Sequence, residues 1–165
     1  MAGCSVYWPG AEAGAVGTTT WAWGSLPGWR SGLDDVRVDP EWFDPTRLAG
    51  GTSFWLGPAG TVTPLHHDTT NILFCQLYGR KELVLVSPLE AALLPEARGF
   101  YSTLRADTEP FPARRHRLVL APGEALFLPV GWWHEVRALD VSISFSLLAF
   151  RRPNVFDEYQ PGFVG

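Results

Sequence analysis

Three residues in two distant stretches of the chain have the types and spacing of a metal site. His66 and Asp68 lie two residues apart in TVTPLHHDTTNILFCQLYGRK, and His134 lies far downstream in PGEALFLPVGWWHEV. Residues i and i+2 of a strand point to the same face, so His66 and Asp68 are predicted to project together while His67 points away. Two imidazoles and one carboxylate form the facial triad that is typical of non-haem Fe(II) oxygenases, and this triad leaves coordination positions open.

The only lysine of the chain follows the first of these stretches. Lys81 stands 15 residues after His66 and is the one lysine among 13 basic residues. It follows the Gly79-Arg80 turn and has the strand parity of Leu83 and Leu85, so it is predicted to point inward. A buried ammonium needs an anionic partner. Because Asp68 is the only inward carboxylate in prospect and the metal should occupy it, a bound anion is expected beside Lys81.

The elements that must position these residues are predicted to be strands. Short runs of strand-forming residues between turn signals predict strands at 52–56, 61–68, 71–78, 82–86, 118–120, 125–128, 133–138 and 141–150. In the last of these, apolar residues alternate with Ser142, Ser144 and Ser146, which predicts a half-buried strand face. About eight short strands favour an all-β sandwich or barrel.

Two segments interrupt the strand pattern. Ser87-Pro88-Leu89-Glu90 has the form of a capping box with proline at the first helical position, so a short helix is predicted from there to Leu94. Residues 96–116 are predicted to be a long irregular connection. His116 lies in that connection among arginines and is predicted to be solvated.

The length of 165 residues favours a single domain. Residues 49–150 are predicted to be its β core, 1–48 an irregular N-terminal segment and 151–165 a C-terminal tail. The N-terminal segment is rich in Gly, Ala, Pro and Trp and has no sustained period. Either its tryptophans cover one end of the β core, or part of the natural N-terminal region is missing from this chain.

Composition and charge exclude several functional classes. A hydrophobic content of 46% with 18% charged residues is typical of a globular chain. The net charge of −4 and the scattered basic residues argue against nucleic-acid binding. There is neither a signal-peptide pattern nor an apolar run approaching the ~20 residues of a membrane span, so a soluble, cytoplasmic protein is expected. Unpaired strand edges leave a homodimer open.

The two stretches GTVTPLHHDTTNILFCQLYGRK and APGEALFLPVGWWHEVRALDVSISFS resemble the JmjC-type, cupin-like 2-oxoglutarate oxygenases over residues 50–150. The resemblance implies a double-stranded β-helix, or jelly roll, with Fe(II) held by His66, Asp68 and His134. It implies that Lys81 and Thr63 bind the distal carboxylate of 2-oxoglutarate. The implied activity is dioxygenase chemistry with 2-oxoglutarate and O2, most simply hydroxylation of an unidentified protein side chain or small molecule.

The chain departs from the family pattern in two places. Many relatives have an asparagine six residues after the first histidine, where this chain has Ile72. Asn71 is one residue early and is predicted to face the other way unless a bulge re-aims it. Relatives also take a tyrosine for the cosubstrate pocket from a helical N-terminal portion, which residues 1–48 do not clearly provide; Tyr7 is not assigned.

Two other interpretations of the residues stay open. A cupin-type metalloenzyme that does not use 2-oxoglutarate would keep the triad and would not need Lys81. A non-catalytic JmjC-like binding module would be a β-barrel that retained the ligands or lost part of its pocket, and Ile72 and the unusual N-terminal segment favour it slightly. Among the remaining candidates, His67 is predicted to be a strand-surface histidine, and Glu135 is predicted to point away from His134.

Overall fold

The computed structural model describes residues 21–23 and 36–161, and within them eleven strands form two antiparallel sheets. In chain order, β1 to β11 span Trp21–Trp23, Thr52–Gly57, Val62–His66, Ile72–Tyr78, Lys81–Val86, Glu96–Arg98, Tyr101–Ser102, His116–Leu120, Ala125–Leu128, Trp133–Ala138 and Ser142–Leu147. The first sheet has the order β1-β2-β11-β4-β9, and the second has the order β6-β7-β3-β10-β5-β8. The chain passes repeatedly between the two sheets, so the predicted all-β double-stranded β-helix is confirmed.

The interior between the sheets holds an apolar cluster contributed by strands of both. Its buried members are Ile72 and Phe74 from β4, Leu83 and Leu85 from β5, Leu120 from β8 and Leu128 from β9. Each such side chain contributes about 1.5–3 kcal/mol when it is fully removed from water. The cluster therefore fixes the distance between the two sheets and the positions of the strands that carry the candidate site.

The same interior is polar along β11, contrary to the predicted half-buried face. Ser142 and Ser144 are fully buried, and the Ser144 hydroxyl donates a hydrogen bond of 2.7 Å to Oε1 of Gln76. The Trp55 indole donates one of 3.0 Å to Oγ of Ser146. The serines thus face inward. The opposite face of β11 is buried as well, because Phe145 and Leu147 pack under Phe43, Leu48 and Ala149.

The outer face of the second sheet is covered by the chain that follows β5. Leu65, Val86 and Trp133 form a second buried cluster there with Ala91 and Leu94, supported by Leu104, Phe111 and Ala113. His67 lies in this layer, with its ring edge-on to Phe100 and Trp133 at centroid distances of 5.1 and 4.7 Å. The prediction of a surface histidine was therefore wrong: His67 does point away from His66, but into a covered face.

The covering segment differs in detail from its prediction. The helix is a 3-10 helix at Pro88–Leu93, capped by the Ser87 hydroxyl, which accepts the amide of Leu89. Glu90 does not complete a capping box, because its Oε1 accepts the amide of Arg114. The connection predicted as irregular contains β6 and β7, which extend the second sheet beyond β3.

The described part of the N-terminal segment lies on the first sheet. β1 pairs with β2, a strand that the aperiodic sequence had not predicted. A short 3-10 helix at Pro45–Arg47 follows, capped by Asp44, and Phe43 and Leu48 pack on the outer face of β11. Residues 1–20, Tyr7 included, and residues 24–35 lie outside the described part of the chain. No helix in the described part of the chain has the length and apolar character that a membrane crossing requires.

Candidate metal centre

The predicted triad is assembled at one end of the second sheet. His66 ends β3 and stands directly opposite His134 on β10, while Asp68 follows in the loop after β3. One ligand atom from each residue can be chosen so that all three lie within 4.8 Å of one another. Oδ2 of Asp68 is 3.9 Å from Nε2 of His66 and 3.5 Å from Nε2 of His134. A divalent ion with bonds of about 2.0–2.2 Å fits among atoms at these separations.

Backbone carbonyls hold both imidazoles in the form that a metal needs. Nδ1 of His66 is 2.7 Å from the carbonyl of Pro64, and Nδ1 of His134 is 3.0 Å from the carbonyl of Trp132. A carbonyl can only accept, so each Nδ1 carries the proton and each Nε2 keeps its lone pair free. Burial, reinforced by the nearby His134, also holds the pKa of His66 well below its usual value. His66 is therefore neutral at pH 7, which fits a metal ligand.

Asp68 is the most accessible member of the triad. Its side chain is 37% exposed, whereas those of His66 and His134 are 10% and 6% exposed. The site thus opens to solvent on the side of the carboxylate, and the buried histidines form its floor.

Lys81 begins β5 on the inner face, as its parity with Leu83 and Leu85 predicted. Its ammonium lies 5.5 Å from the centroid of the Phe74 ring, a cation–π contact within the apolar interior. Burial lowers its pKa to about 8. No carboxylate of the described residues forms an ion pair with it, and the Phe74 ring offers only the modest attraction of a cation–π contact.

Lys81 and the triad are separated along the direction of β5. Leu85 stands opposite His134, and Lys81 is four residues before Leu85 on the same face. Four residues of strand span roughly 13 Å between Cα atoms. Lys81 and His134 thus lie on one inner face, towards opposite ends of the paired strands β5 and β10.

Thr63 shares the inner face because of an irregularity in β3. His134 pairs with His66 and Val136 pairs with Thr63, so two steps along β10 match three steps along β3. A bulge of this kind restores Thr63 to the face of His66 despite the odd spacing. Val136 packs against the inner apolar cluster, so the position opposite it also faces the interior.

The structure explains the departure at Ile72. Ile72 faces inward as a member of the apolar cluster. Asn71 is used elsewhere: its Oδ1 accepts the amide of Val130 at 3.0 Å, and its Nδ2 donates to Asn154 at 2.9 Å. The bulge that could have re-aimed Asn71 toward a cosubstrate is absent at that position, and the side chain serves the loops instead.

Two residues of the connection that was predicted to be irregular lie in the same cross-strand row as His66 and His134. Cross-strand pairs place Tyr101, His66, His134, Leu85 and His116 side by side across five strands. Tyr101 stacks on His66 and was not predicted to be near the site; the only signal was the short Phe-Tyr-Ser run after Gly99. His116 is exposed, as predicted, but it lies on β8, with its ring 6.4 Å from that of Trp132.

Glu135 is not part of the site. It is buried on the outer face, where its Oε2 accepts the amide of Ala106 at 3.0 Å. This confirms the prediction that Glu135 points away from His134. Its carboxylate holds the covering segment onto the second sheet.

The fold and the site together define a cupin-type β-barrel with a three-residue cluster that could hold a metal ion. Residues 20–148 match the cupin-like domain family, so the chain belongs to that family. Some of its relatives are named for a JmjC domain. Jumonji C domain-containing protein 5 of Drosophila melanogaster is 37% identical over 103 residues, which cover 56% of this chain and 26% of that protein.

Further relatives show similar coverage. Lysine-specific demethylase 8 of Xenopus tropicalis is 41% identical over 56% of this chain and 23% of that protein. Human HSPB1-associated protein 1 is 33% identical over 68% of this chain and 27% of its own length. The chain thus spans about a quarter of the length of these relatives. A solved structure of the Escherichia coli ribosomal oxygenase YcfD with cobalt and 2-oxoglutarate aligns with a TM-score of 0.42 and 22% identity, over 62% of this chain and 24% of that one.

Proposed function

We propose that the protein is an Fe(II)- and 2-oxoglutarate-dependent dioxygenase that hydroxylates a protein side chain or a small molecule. Membership of the cupin-like family and the His66, Asp68 and His134 cluster support a metal-dependent oxygenase. Lys81 carries the choice of cosubstrate, because it is a buried ammonium on the face of the triad with no carboxylate partner among the described residues. A dicarboxylate that ligates the metal at one end supplies the missing anion at the other.

The residues of the chain have positional roles in this function. His66, Asp68 and His134 hold the iron, and Lys81 and Thr63 hold the distal carboxylate of 2-oxoglutarate. When bound, the iron supplies the oxidative chemistry in which O2, 2-oxoglutarate and a substrate C–H bond give succinate, CO2 and a hydroxylated product. The carbonyls of Pro64 and Trp132 orient the two imidazoles, and the apolar cluster around Ile72 fills the interior between the two sheets.

Turnover of 2-oxoglutarate tests the proposal. The protein is loaded with Fe(II), supplied with 2-oxoglutarate and air, and succinate is followed by NMR. Succinate should form even without the substrate, at a slow uncoupled rate. Asp68→Ala should abolish it, because the carboxylate ligand is lost. His116→Ala is the matched control, since His116 lies in the same cross-strand row but outside the metal cluster, and it should keep the uncoupled rate.

Binding measurements separate the alternatives. Titration of Mn(II), followed by 2-oxoglutarate, should show two successive binding events. Metal binding without 2-oxoglutarate binding would favour a cupin-type metalloenzyme with a different cosubstrate. Absence of metal binding by the folded protein would favour a non-catalytic module and would overturn the proposal.

A further inference from the structure

We infer that residues 154–159 brace the candidate metal centre from outside the barrel, and that Asn154 and Tyr159 are positioning residues for it. The inference rests on the proposed function, because it assumes that the centre holds a metal. The segment lies beyond the family match and was predicted to be a tail. Its contacts instead converge on the two loops that carry the centre, namely residues 67–71, which include Asp68, and residues 129–132, which precede His134.

Asn154 ties these two loops together. It is 4% exposed, and its Oδ1 accepts both the backbone amide and the Nδ2 of Asn71, at 2.8 and 2.9 Å. Its Nδ2 donates to the carbonyls of Asn71 and Leu148, at 2.9 and 3.0 Å. Asn71 in turn accepts the amide of Val130 at 3.0 Å. Three of the four hydrogen bonds of the Asn154 amide group thus fix Asn71, which holds the second loop, and the fourth ties the segment to Leu148.

Two contacts further along the segment reach the same loops. The amide of Phe156 donates to the carbonyl of Thr69 at 2.9 Å, one residue after Asp68. The ring of Tyr159 lies against Gly131, so closely that a Cβ on that glycine would be 2.1 Å from Cε1 of the ring. The amide of Gly131 donates to the carbonyl of Asp68 at 3.1 Å. Tyr159 therefore packs against the glycine whose amide fixes the backbone of Asp68.

Asp68 needs this support more than the histidines do. It lies beyond the end of β3, whereas His66 and His134 are held within strands and by carbonyls. Among the described residues, no group donates a hydrogen bond to its carboxylate. Its position relative to the two Nε2 atoms therefore depends on the backbone of its loop, and the brace holds that backbone.

Co(II) affinity and the Co(II) visible absorption spectrum test the inference. Asn154→Ala and Tyr159→Ala should each weaken Co(II) binding by about tenfold or more, the range seen when groups that orient metal ligands are removed. Their d–d bands should also change. Tyr159→Phe keeps the ring and should behave as wild type. Glu158→Ala is the control on the same segment, because the Glu158 side chain is exposed and has no hydrogen bond or ion pair with a described residue.

The outcomes separate the brace from a merely structural role and from the proposed function. Thermal unfolding of the metal-free variants is measured alongside. If both alanine variants lose stability but keep the affinity and the spectrum of Co(II), the inference is overturned while the proposed function stands. If the wild type itself binds no Co(II), both fall. If Asn154→Ala does not fold, the comparison of Tyr159→Ala with Tyr159→Phe decides alone.

A substitution on the other side of the contact gives an independent check. Gly131→Ala places a methyl group where the Tyr159 ring lies and also strains a backbone at φ +78°. The strain is present in any background, but the collision requires the ring. The loss of Co(II) affinity caused by Gly131→Ala should therefore be smaller in the Tyr159→Ala background, and equal losses would count against the brace.

Discussion

The ring of Tyr101 stacks on the ring of His66, with centroids 5.1 Å apart and planes inclined by 18°. The contact follows from register, since Tyr101 on β7 stands opposite His66 on β3. Burial, and then the charge of Asp68, raise the pKa of Tyr101, so its phenol stays protonated at neutral pH. The tyrosine thus forms one wall of the candidate centre and limits the rotation of the His66 imidazole.

Removing that wall should loosen His66. An aromatic pair of this kind is worth about 0.5–1.5 kcal/mol beyond its buried area. Tyr101→Ala is therefore expected to weaken Mn(II) binding by roughly 2- to 12-fold, as measured by isothermal titration calorimetry. Tyr101→Phe retains the stacked ring and should bind Mn(II) as the wild type does. Equal losses in both variants would mean that the hydroxyl, and not the stack, matters.

Lys81→Met should fold and bind metal but lose affinity for 2-oxoglutarate. Removing one partner of a buried charged pair costs about 2–4 kcal/mol, or roughly 30- to 900-fold in Kd. Methionine keeps most of the apolar contact with Phe74. Calorimetric titration of 2-oxoglutarate into Mn(II)-loaded protein measures the loss. Unchanged affinity would remove Lys81 from the cosubstrate site and favour a cupin metalloenzyme that uses no oxo-acid.

Lys81 should also give the ligand-free protein a recognisable dependence on pH. Its pKa is about 8 in the folded protein and near 10.5 as an ordinary lysine. Between these values the unfolded chain binds more protons, so this residue makes the free energy of unfolding rise as pH increases from about 8 to about 10.5. The slope from one such group is at most about 1.4 kcal/mol per pH unit.

Urea unfolding of wild type and Lys81→Met at several pH values isolates this contribution. Other groups titrate in both proteins and cancel in the difference. The variant should be the more stable of the two below pH 8, and the difference should shrink as pH rises. A difference that does not change with pH would show that Lys81 is not desolvated in the folded state.

The turn before Lys81 tolerates only glycine at its first position. Gly79 has a φ of +65°, and a Cβ there would lie 2.2 Å from the carbonyl oxygen of Val141. Gly60 has a φ of +84° but nothing within 4 Å of its Cβ position. Gly60→Ala should therefore cost only the left-handed backbone, about 1–2 kcal/mol. Gly79→Ala should cost distinctly more in urea unfolding, and it should also weaken 2-oxoglutarate binding because Lys81 moves with the turn.

The sequence was sufficient for the parts of the site that depend on local patterns. Strand alternation and turn residues are properties of short windows, and they predicted the inward direction of Lys81 and the strands around His66 and His134. The fold class followed from the same regular punctuation. The outward direction of Glu135 followed from its parity with His134.

What the sequence could not predict depends on segments far apart in the chain. The burial of His67 depends on residues 88–113, which cover its face of the second sheet. Alternation of apolar and polar residues within a strand does not show whether a distant segment covers that face. The serines of β11 face inward because the apolar residues between them are needed under Phe43 and Leu48. Tyr101 reaches His66 only through a two-residue strand, which is too short to give a periodic signal.

The bulge in β3 has a consequence for how the motif tolerates change. Thr63 and His66 are an odd number of residues apart and still face the same way, because one extra residue is absorbed between the two pairs with β10. Deleting one residue between them would leave two steps on β3 against two on β10, so the ladder would become regular and the bulge would be lost. Thr63 can therefore share the face of His66 at an odd spacing with a bulge or at an even spacing without one, and strict alternation does not define this motif.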